Sequence, residues 1–343
     1  MGTEELIEVV LPGKVEPEGL QVRHGDVPAP GPGRVVVRME ATGVSFAEQQ
    51  MRRGRYYDQP PFPFVPGYDL VGTVAAVGDG VDPALAGTRV AALLKVGGWA
   101  SHVAVDAADL VPVPDGIDAS EAETVVVNGI TAWQMLHRRA RVRPGRTVLV
   151  HGANGGVGSI LVQLARAAGA TVIGTASARH HQTLRARGVI PVDYRTEDVP
   201  ARVRHLAPHG VDAVFDHIGG RSTVDSWRLL APGGTLVAYG SASTRDDDGS
   251  KQWPVLKLLG RVWLWNVLPN GRHACFYNVW AGRATNRDRF RARLRADLTA
   301  VFEALRSGEI TATVAAELPL VRAAEAMRLA ESGTVAGKVV LRA

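Results

Sequence analysis

A chain of 343 residues, 46% hydrophobic and 21% charged, is long enough for about two domains, each with its own core, and has the make-up of an ordinary soluble protein. Its one cysteine, Cys275, excludes an intrachain disulfide and a thiolate cluster around zinc. The formal net charge of +5 rests on arginine, with only five lysines (Lys14, Lys95, Lys251, Lys257, Lys338), and calls for neither nucleic acid nor a membrane as partner.

The opening MGTEELIEVV is acidic and lacks a signal peptide's apolar core, and Leu6 stands where N-myristoylation favours Ser or Thr. A reducing cytoplasm is therefore the expected location. Residues 1 to 125 read as short strands punctuated by Gly and Pro. Arg34 to Met39, Gly72 to Val77, Arg89 to Leu93 and Ala100 to Val105 are strand-like, which suits a β-rich, barrel-like domain.

From residue 126 to 280 helices alternate with strands. Thr147 to Val150 is an apolar run without alternation, as in a strand buried on both faces of a parallel sheet. A glycine turn follows at once, then Ile160, Leu161, Leu164, Ala165 and Ala168 at helical spacing, then Gly169 as a helix stop and a second strand from Thr171 to Thr175. In the turn, Ala153, Gly155 and Gly158 occupy the three glycine places of the GxGxxG pattern. Such a turn lets phosphates approach the backbone and presents free N–H groups at the positive end of a helix. Asn154, Gly155, Gly156 and Val157 are the residues expected to hold a dinucleotide pyrophosphate. The second strand ends in Gly174, Thr175, Ala176 and Ser177 without the carboxylate that would bind a ribose 2'-hydroxyl, whereas Ser177 and Arg179 can meet a 2'-phosphate. The cofactor expectation is NADPH.

A helix near His181 to Arg187, a strand Ala213 to Asp216, a helix Thr223 to Leu230 and a strand Thr235 to Tyr239 complete a doubly wound sheet. Gly240 and Ser241, after the last of these strands, are expected to face the nicotinamide ribose. Val255, Leu258, Leu259, Val262 and Trp265 predict a helix, interrupted by Lys257 and Arg261 and too short to span a bilayer; a helix over the active-site cleft is the expectation. Residues 281 to 343 hold a helix with Phe290, Leu294, Leu298, Val301 and Leu305 on one face, a helix near Ala323 to Ser332 and a strand Lys338 to Leu341. Having no sheet of their own, they are assigned back to the first domain. The expected fold class is α/β, with residues 126–280 inserted as a Rossmann domain.

RRGRYYDQPPFPFVPGYDLVGTVAAVG (residues 52–78), VNGITAW, HGANGGVG, GTASARHH, VDYRTED, DHIGG and APGGTLVAYG occur in an order that resembles the zinc-free quinone oxidoreductase group of the medium-chain dehydrogenases/reductases. GTASARHH, DHIGG and VNGITAW look closest to the branch of the synaptic-vesicle amine-transport protein homologue. The resemblance implies that the first domain is a GroES-like catalytic domain. Zinc-dependent relatives carry Cys where this chain has Ser45, and Gly-His-Glu where it has Gly67, Tyr68 and Asp69, so no metal site is expected. It further implies Tyr56, with Ser45, as the catalytic pair, Tyr56 donating to the oxygen that gains charge. Thr131 is implied at the nicotinamide, Tyr194 beside the 2'-phosphate and Phe276 at the cofactor. His273 to Trp280 resembles the family's edge strand, which pairs with a twin in a homodimer. The activity implied is hydride transfer to a small-molecule quinone or α,β-unsaturated carbonyl compound. An enoyl-thioester reductase, or a non-catalytic nucleotide-binding adapter or membrane-surface protein, are the alternatives.

Overall fold

In the computed structural model, which describes residues 5–240, 242 and 253–343, the chain divides into two units, Met1–Ile130 with Gly282–Ala343 and Thr131–Ala281. The first unit opens with an antiparallel pair, β1 (Glu5–Val10) and β2 (Gln21–Asp26). There follow β3 (Arg34–Val44), α1 (Phe46–Arg52), β4 (Asp69–Val77), β5 (Arg89–Leu93), β6 (His102–Asp106), β7 (Leu110–Pro112), α2 (Ala119–Val125) and α3 (Val127–Trp133). β3 is the long organising strand, antiparallel to both β4 and β6. Its Val35, Val37 and Met39 join Leu70, Val74, Val90, Ala92 and Trp99 in one core. Removing each of the Val, Leu and Met side chains from water contributes about 1.5 to 3 kcal/mol. Trp99, fully buried, donates its indole N–H to the Gly43 carbonyl at 2.9 Å, so its one polar group is not left unpaired.

The second unit runs β8 (Thr147–Val150), α4 (Gly156–Ala167), β9 (Thr171–Ala176), α5 (His181–Ala186), β10 (Val189–Asp193), α6 (Val199–Leu206), β11 (Val211–Asp216), α7 (Arg221–Arg228), β12 (Leu230–Ala238), α8 (Trp253–Val267) and β13 (His273–Phe276). Its strands pair in the order β10-β9-β8-β11-β12-β13, all parallel. Leu149, Ile173, Val192, Val214 and Leu236, one from each of five strands, form its core. The strand order reverses between β8 and β11, the place where doubly wound sheets bind nucleotides at their carboxyl ends.

The chain then returns to the first unit with α9 (Arg287–Arg306), β14 (Val314–Pro319), α10 (Ala323–Glu331) and β15 (Lys338–Arg342). β15 lies antiparallel to β3 and parallel to β14, completing the sheet order β14-β15-β3-β4-β5-β7. The class is α/β, a β-rich GroES-like domain carrying an inserted Rossmann domain.

Two element boundaries differ from expectation. The helix expected to reach Leu230 ends at Arg228, because Leu230 enters the ladder opposite Val211 and starts β12 five residues early. The edge strand expected from His273 to Trp280 stops at Phe276, where Asn278 folds the chain into a turn by accepting the Trp280 N–H at 2.9 Å. That edge is also partly closed. Tyr277 N–H bonds the Ala238 carbonyl of β12, so by strand alternation the polar groups of Ala274 face outward, and the Asn266 carboxamide of α8 takes both, at 2.9 and 2.8 Å.

Candidate functional site

The nucleotide cradle is built by the turn between β8 and α4. Gly155 caps α4 without any side-chain hydrogen bond, so the first N–H groups of a twelve-residue helix are left to a ligand. A Cβ on Gly158 would lie 2.1 Å from the Gly152 carbonyl oxygen, which is why the helix can approach its strand only with glycine there. Asn154, Gly155, Gly156 and Val157 are all half-buried and lie together in this turn, as expected.

A polar network lies beneath it. Thr175 Oγ1 accepts the Gly152 N–H at 3.1 Å and lies 3.4 Å from His151 Nδ1; His151 Nε2 is 3.1 Å from Ser226 Oγ, which donates to Asp216 at 2.9 Å. Asp216 also accepts the Ile218 and Gly219 N–H groups and the Ser222 hydroxyl. The network ties the ends of β8, β9 and β11 to the glycine turn. Burial holds His151 below the usual histidine range, against the pull of Asp216. His217 is lowered to about 4, chiefly by burial and then by His151. Its ring stands where a Cβ on Gly152 would fall, and its Nδ1 has no hydrogen-bond partner among the described residues. Sequence reasoning quoted HGANGG and DHIGG as motifs without giving these histidines or Asp216 a role. Nothing in a strand end announces a network that depends on which strands become neighbours.

At the next pair of strands, Ala176 is in register with Asp193, so Ser177 and Tyr194 occupy adjoining positions just past β9 and β10. Arg179, exposed in the turn after Ser177, donates its Nε–H to His180 Nε2 at 3.0 Å, and Arg195 stacks over the Tyr194 ring at 5.9 Å. The expectation that no carboxylate stands near this strand end needs correction, since Asp193 does. Its carboxylate is turned into its own loop, where the Arg195 N–H (3.0 Å) holds it below the usual carboxylate range. Gly240 packs on the His217 backbone, leaving no room for a side chain, and Phe276 ends β13 opposite Ala238. Thr131 is buried in α3, while Ser241 lies outside the described residues.

In the first unit, Ser45 and Tyr56 have different fates. Ser45 is the N-cap of α1 in a capping box: its Oγ accepts the Ala47 N–H, and the Glu48 carboxylate accepts both the Ser45 hydroxyl and the Ser45 N–H. Its hydroxyl is committed to the helix. Glu48 reaches on to accept the Tyr68 N–H at 2.7 Å. Burial raises the Glu48 carboxyl, with the Ser45 bond opposing. Gly67, at φ +107° and pressed against Gly98 and Trp99, makes the turn that presents Tyr68. Tyr56 Oη lies 2.6 Å from Tyr68 Oη, with the rings edge to face. Burial, then the neighbouring tyrosines, push the Tyr56 phenol well above its ordinary range, so it stays protonated.

Behind Tyr68, Lys338 of β15 donates to Asp69 at 2.7 Å and Glu123 at 2.5 Å, all three buried. Burial works to lower Lys338, but the two carboxylates outweigh it and hold it above the usual lysine range. Burial, then the Asp69 charge, raise Glu123 well above normal. Sequence reasoning missed this triad, whose members are 54 and 215 residues apart.

Two family profiles match, an alcohol dehydrogenase GroES-like domain at residues 31–115 and a zinc-binding dehydrogenase at residues 184–341. The rat synaptic vesicle membrane protein VAT-1 homolog is 37% identical over 332 residues, covering 94% of this chain and 80% of the relative. The chain belongs to the medium-chain dehydrogenase/reductase superfamily. Within it, the chain is similar to Escherichia coli quinone oxidoreductase solved in complex with NADPH, at TM-score 0.85 and 26% identity, covering 98% of this chain and all of the other. It is also 33% identical over 343 residues to a phthioceranic/hydroxyphthioceranic acid synthase of Mycobacterium tuberculosis, of which it spans 15%.

The second profile's name raises the question of zinc. The donor set does not fit it in this dehydrogenase/reductase: the two leading positions offer a hydroxyl bound into a helix cap and a phenol paired with another phenol. No group of three or more His, Cys, Asp or Glu side chains among the described residues is placed to hold a metal.

Proposed function

We propose that this protein is an NADPH-dependent, zinc-independent reductase of quinones or α,β-unsaturated carbonyl compounds. The observation that carries the reading is the uncapped glycine cradle at the reversal of strand order, with His217 Nδ1, unpartnered among the described residues, beside it. NADPH, when bound, supplies a hydride. The first N–H groups of α4 would hold its pyrophosphate, and Ser177, Arg179 and Tyr194 would bind its 2'-phosphate. As the substrate carbon accepts the hydride, an electron pair moves to its oxygen. Tyr56, kept protonated by burial, donates a hydrogen bond to that oxygen. A phenol oxygen accepts two hydrogen bonds and donates one, so Tyr68 donating to Tyr56 leaves the Tyr56 proton for the substrate. Ser45 serves by shaping α1 and, through Glu48, the backbone of Tyr68.

A panel of quinones, enones and enoyl thioesters with NADPH oxidation as readout tests the reading; no oxidation with any of them overturns it. Resemblance to the mycobacterial synthase favours enoyl thioesters as the second class, and the same panel separates it from the first. A homodimer through the β13 edge requires Asn266 to release Ala274. Light scattering of the unmutated chain and of Asn266→Ala reads whether that release promotes pairing.

A further inference from the structure

His217 is the first residue past β11, at the carboxyl end of the sheet, and glycines make room for it on two sides. A Cβ on Gly152 would fall 2.5 Å from His217 Cε1, with Nε2 and Nδ1 at 3.2 and 3.3 Å, so the ring edge that carries both nitrogens faces the glycine turn. A Cβ on Gly240 would fall 2.7 Å from the His217 carbonyl oxygen and 3.2 Å from its Cβ. The segments after β8 and β12 thus close on this one side chain.

A ring so enclosed should have both nitrogens paired, and one is not. The ring makes a hydrogen bond with the His151 backbone that favours its protonated form, so the ring donates and the His151 carbonyl accepts. Nδ1 has no partner among the described residues, which gives that bond to Nε2. Burial keeps His217 neutral at ordinary pH, and with the proton on Nε2 the other nitrogen presents a lone pair. Nδ1 therefore calls for a donor. The hydroxyls of the network beneath are spent, since Ser222 and Ser226 both donate to Asp216 and Thr175 lies against His151.

The dinucleotide of the proposed reading, on which this inference rests, offers few donors. Its phosphate groups, ionised, are acceptors. With the pyrophosphate on the turn between β8 and α4 and the 2'-phosphate toward β9 and β10, the other nucleoside extends toward β11 and β12, where His217 and Gly240 stand. The first donors on that side of the pyrophosphate are the hydroxyls of the nicotinamide ribose.

We infer that His217 recognises the nicotinamide half of NADPH, its Nδ1 accepting a hydrogen bond from a hydroxyl of the nicotinamide ribose. It would hold the half that reacts, whereas Ser177, Arg179 and Tyr194 would select the half that carries the 2'-phosphate.

The test is fluorescence titration of the full chain and its His217 variants with NADPH and with 2',5'-ADP, which keeps the adenosine half and lacks the nicotinamide ribose. His217→Leu removes the acceptor and should weaken NADPH about tenfold while leaving 2',5'-ADP unchanged. His217→Asn, whose amide oxygen can stand near the place of Nδ1, should recover most of that loss. The reduced 3-acetylpyridine analogue of NADPH has no carboxamide N–H and should lose as much as NADPH does in His217→Leu. Circular dichroism melts report that each variant is folded, and His217→Ala replaces His217→Leu should the latter fail to fold. Unchanged NADPH affinity in the folded variant overturns the inference and leaves the reductase reading standing. Equal losses for NADPH and 2',5'-ADP overturn it by assigning His217 to the glycine turn, and a loss absent with the analogue overturns it by moving the contact to the carboxamide. An unmutated chain that binds neither NADPH nor 2',5'-ADP overturns the reading and the inference together.

Discussion

The hydroxyls of Tyr56 and Tyr68 lie 2.6 Å apart, and the more buried of the two, Tyr68, is held at its backbone by Glu48. A hydrogen bond between two phenol hydroxyls uses one proton, and on the proposed reading Tyr68 donates it to Tyr56. On the proposed reading Tyr56→Phe removes the donor to the substrate oxygen and lowers kcat by about 100-fold, roughly 3 kcal/mol, with NADPH binding unchanged. Tyr68→Phe keeps the ring and removes only the supporting hydroxyl, so a fall of about tenfold is expected. Steady-state kinetics of both variants decide it; an unaltered kcat in Tyr56→Phe would assign the pair to packing.

Lys338 is the one cation that the described ion pairs place against the two buried carboxylates of Asp69 and Glu123. Lys338→Met removes the cation that both buried carboxyl groups share, and a loss of about 3 to 5 kcal/mol is expected. Adding Glu123→Gln should recover part of it, because an amide beside Asp69 can donate to that carboxylate where Lys338 did. Thermal melts of the single and double variants measure this, and a double variant no more stable than the single would show that charge is not the cause.

The strand-turn-helix around Gly155 was readable because its signals are local: an apolar run, glycines at fixed spacing, then helical periodicity. Arg89–Leu93 and Thr147–Val150 come out with the bounds expected for the same reason. What could not be read depends on contacts between distant residues. Ser45 looked like a candidate for chemistry by its place in a family pattern, yet Glu48, three residues on, commits its hydroxyl to a helix cap. That capping box is itself legible in the sequence as Ser45-x-x-Glu48. Asp193 lies outside the local sequence pattern of β9 because it belongs to β10, which only the sheet brings beside it.

Zinc should be absent. Elemental analysis of the purified protein should find no metal in stoichiometric amount, and a chelator should leave NADPH oxidation unchanged. One tightly held zinc per chain would contradict the assignment of Ser45 to a cap and Tyr68 to a phenol pair.

His151 and His217 predict an acid-sensitive second unit. Both are held below the ordinary histidine value of 6.5, His217 down to about 4, so the folded state binds fewer protons than the unfolded state between those values. Their contribution to stability is present above about pH 6.5 and is lost as pH falls toward 4. Glu48 and Glu123, raised in the fold, act in the opposite sense, favouring the folded state as pH falls. The difference between the unmutated protein and His217→Gln isolates the histidine. Melting temperatures should fall less steeply in the variant over this range; parallel curves would remove His217 from the account.

The last prediction concerns the choice between NADPH and NADH. Ser177 and Tyr194 adjoin at the ends of β9 and β10, and Arg179 follows in the turn between β9 and α5. A carboxylate facing a ribose here would repel a 2'-phosphate and favour NADH. Asp193 is at that level of the sheet, but it is spent on the Arg195 N–H of its own loop and nearly fully buried. Arg179 is exposed and anchored through Nε on His180, whose proton affinity is lowered by burial and by Arg179 itself, so His180 accepts this bond as a neutral ring. On the proposed reading the guanidinium pairs with the 2'-phosphate, and such a bond is worth about 1.5 to 3 kcal/mol. Arg179→Ala should weaken NADPH binding by that amount, roughly 10- to 150-fold, and leave NADH nearly unchanged. Titrating both cofactors into both proteins gives four constants whose cycle isolates the phosphate. Equal affinities for NADH and NADPH in the unmutated chain would mean that Asp193 governs this strand end and Arg179 only solvates the turn.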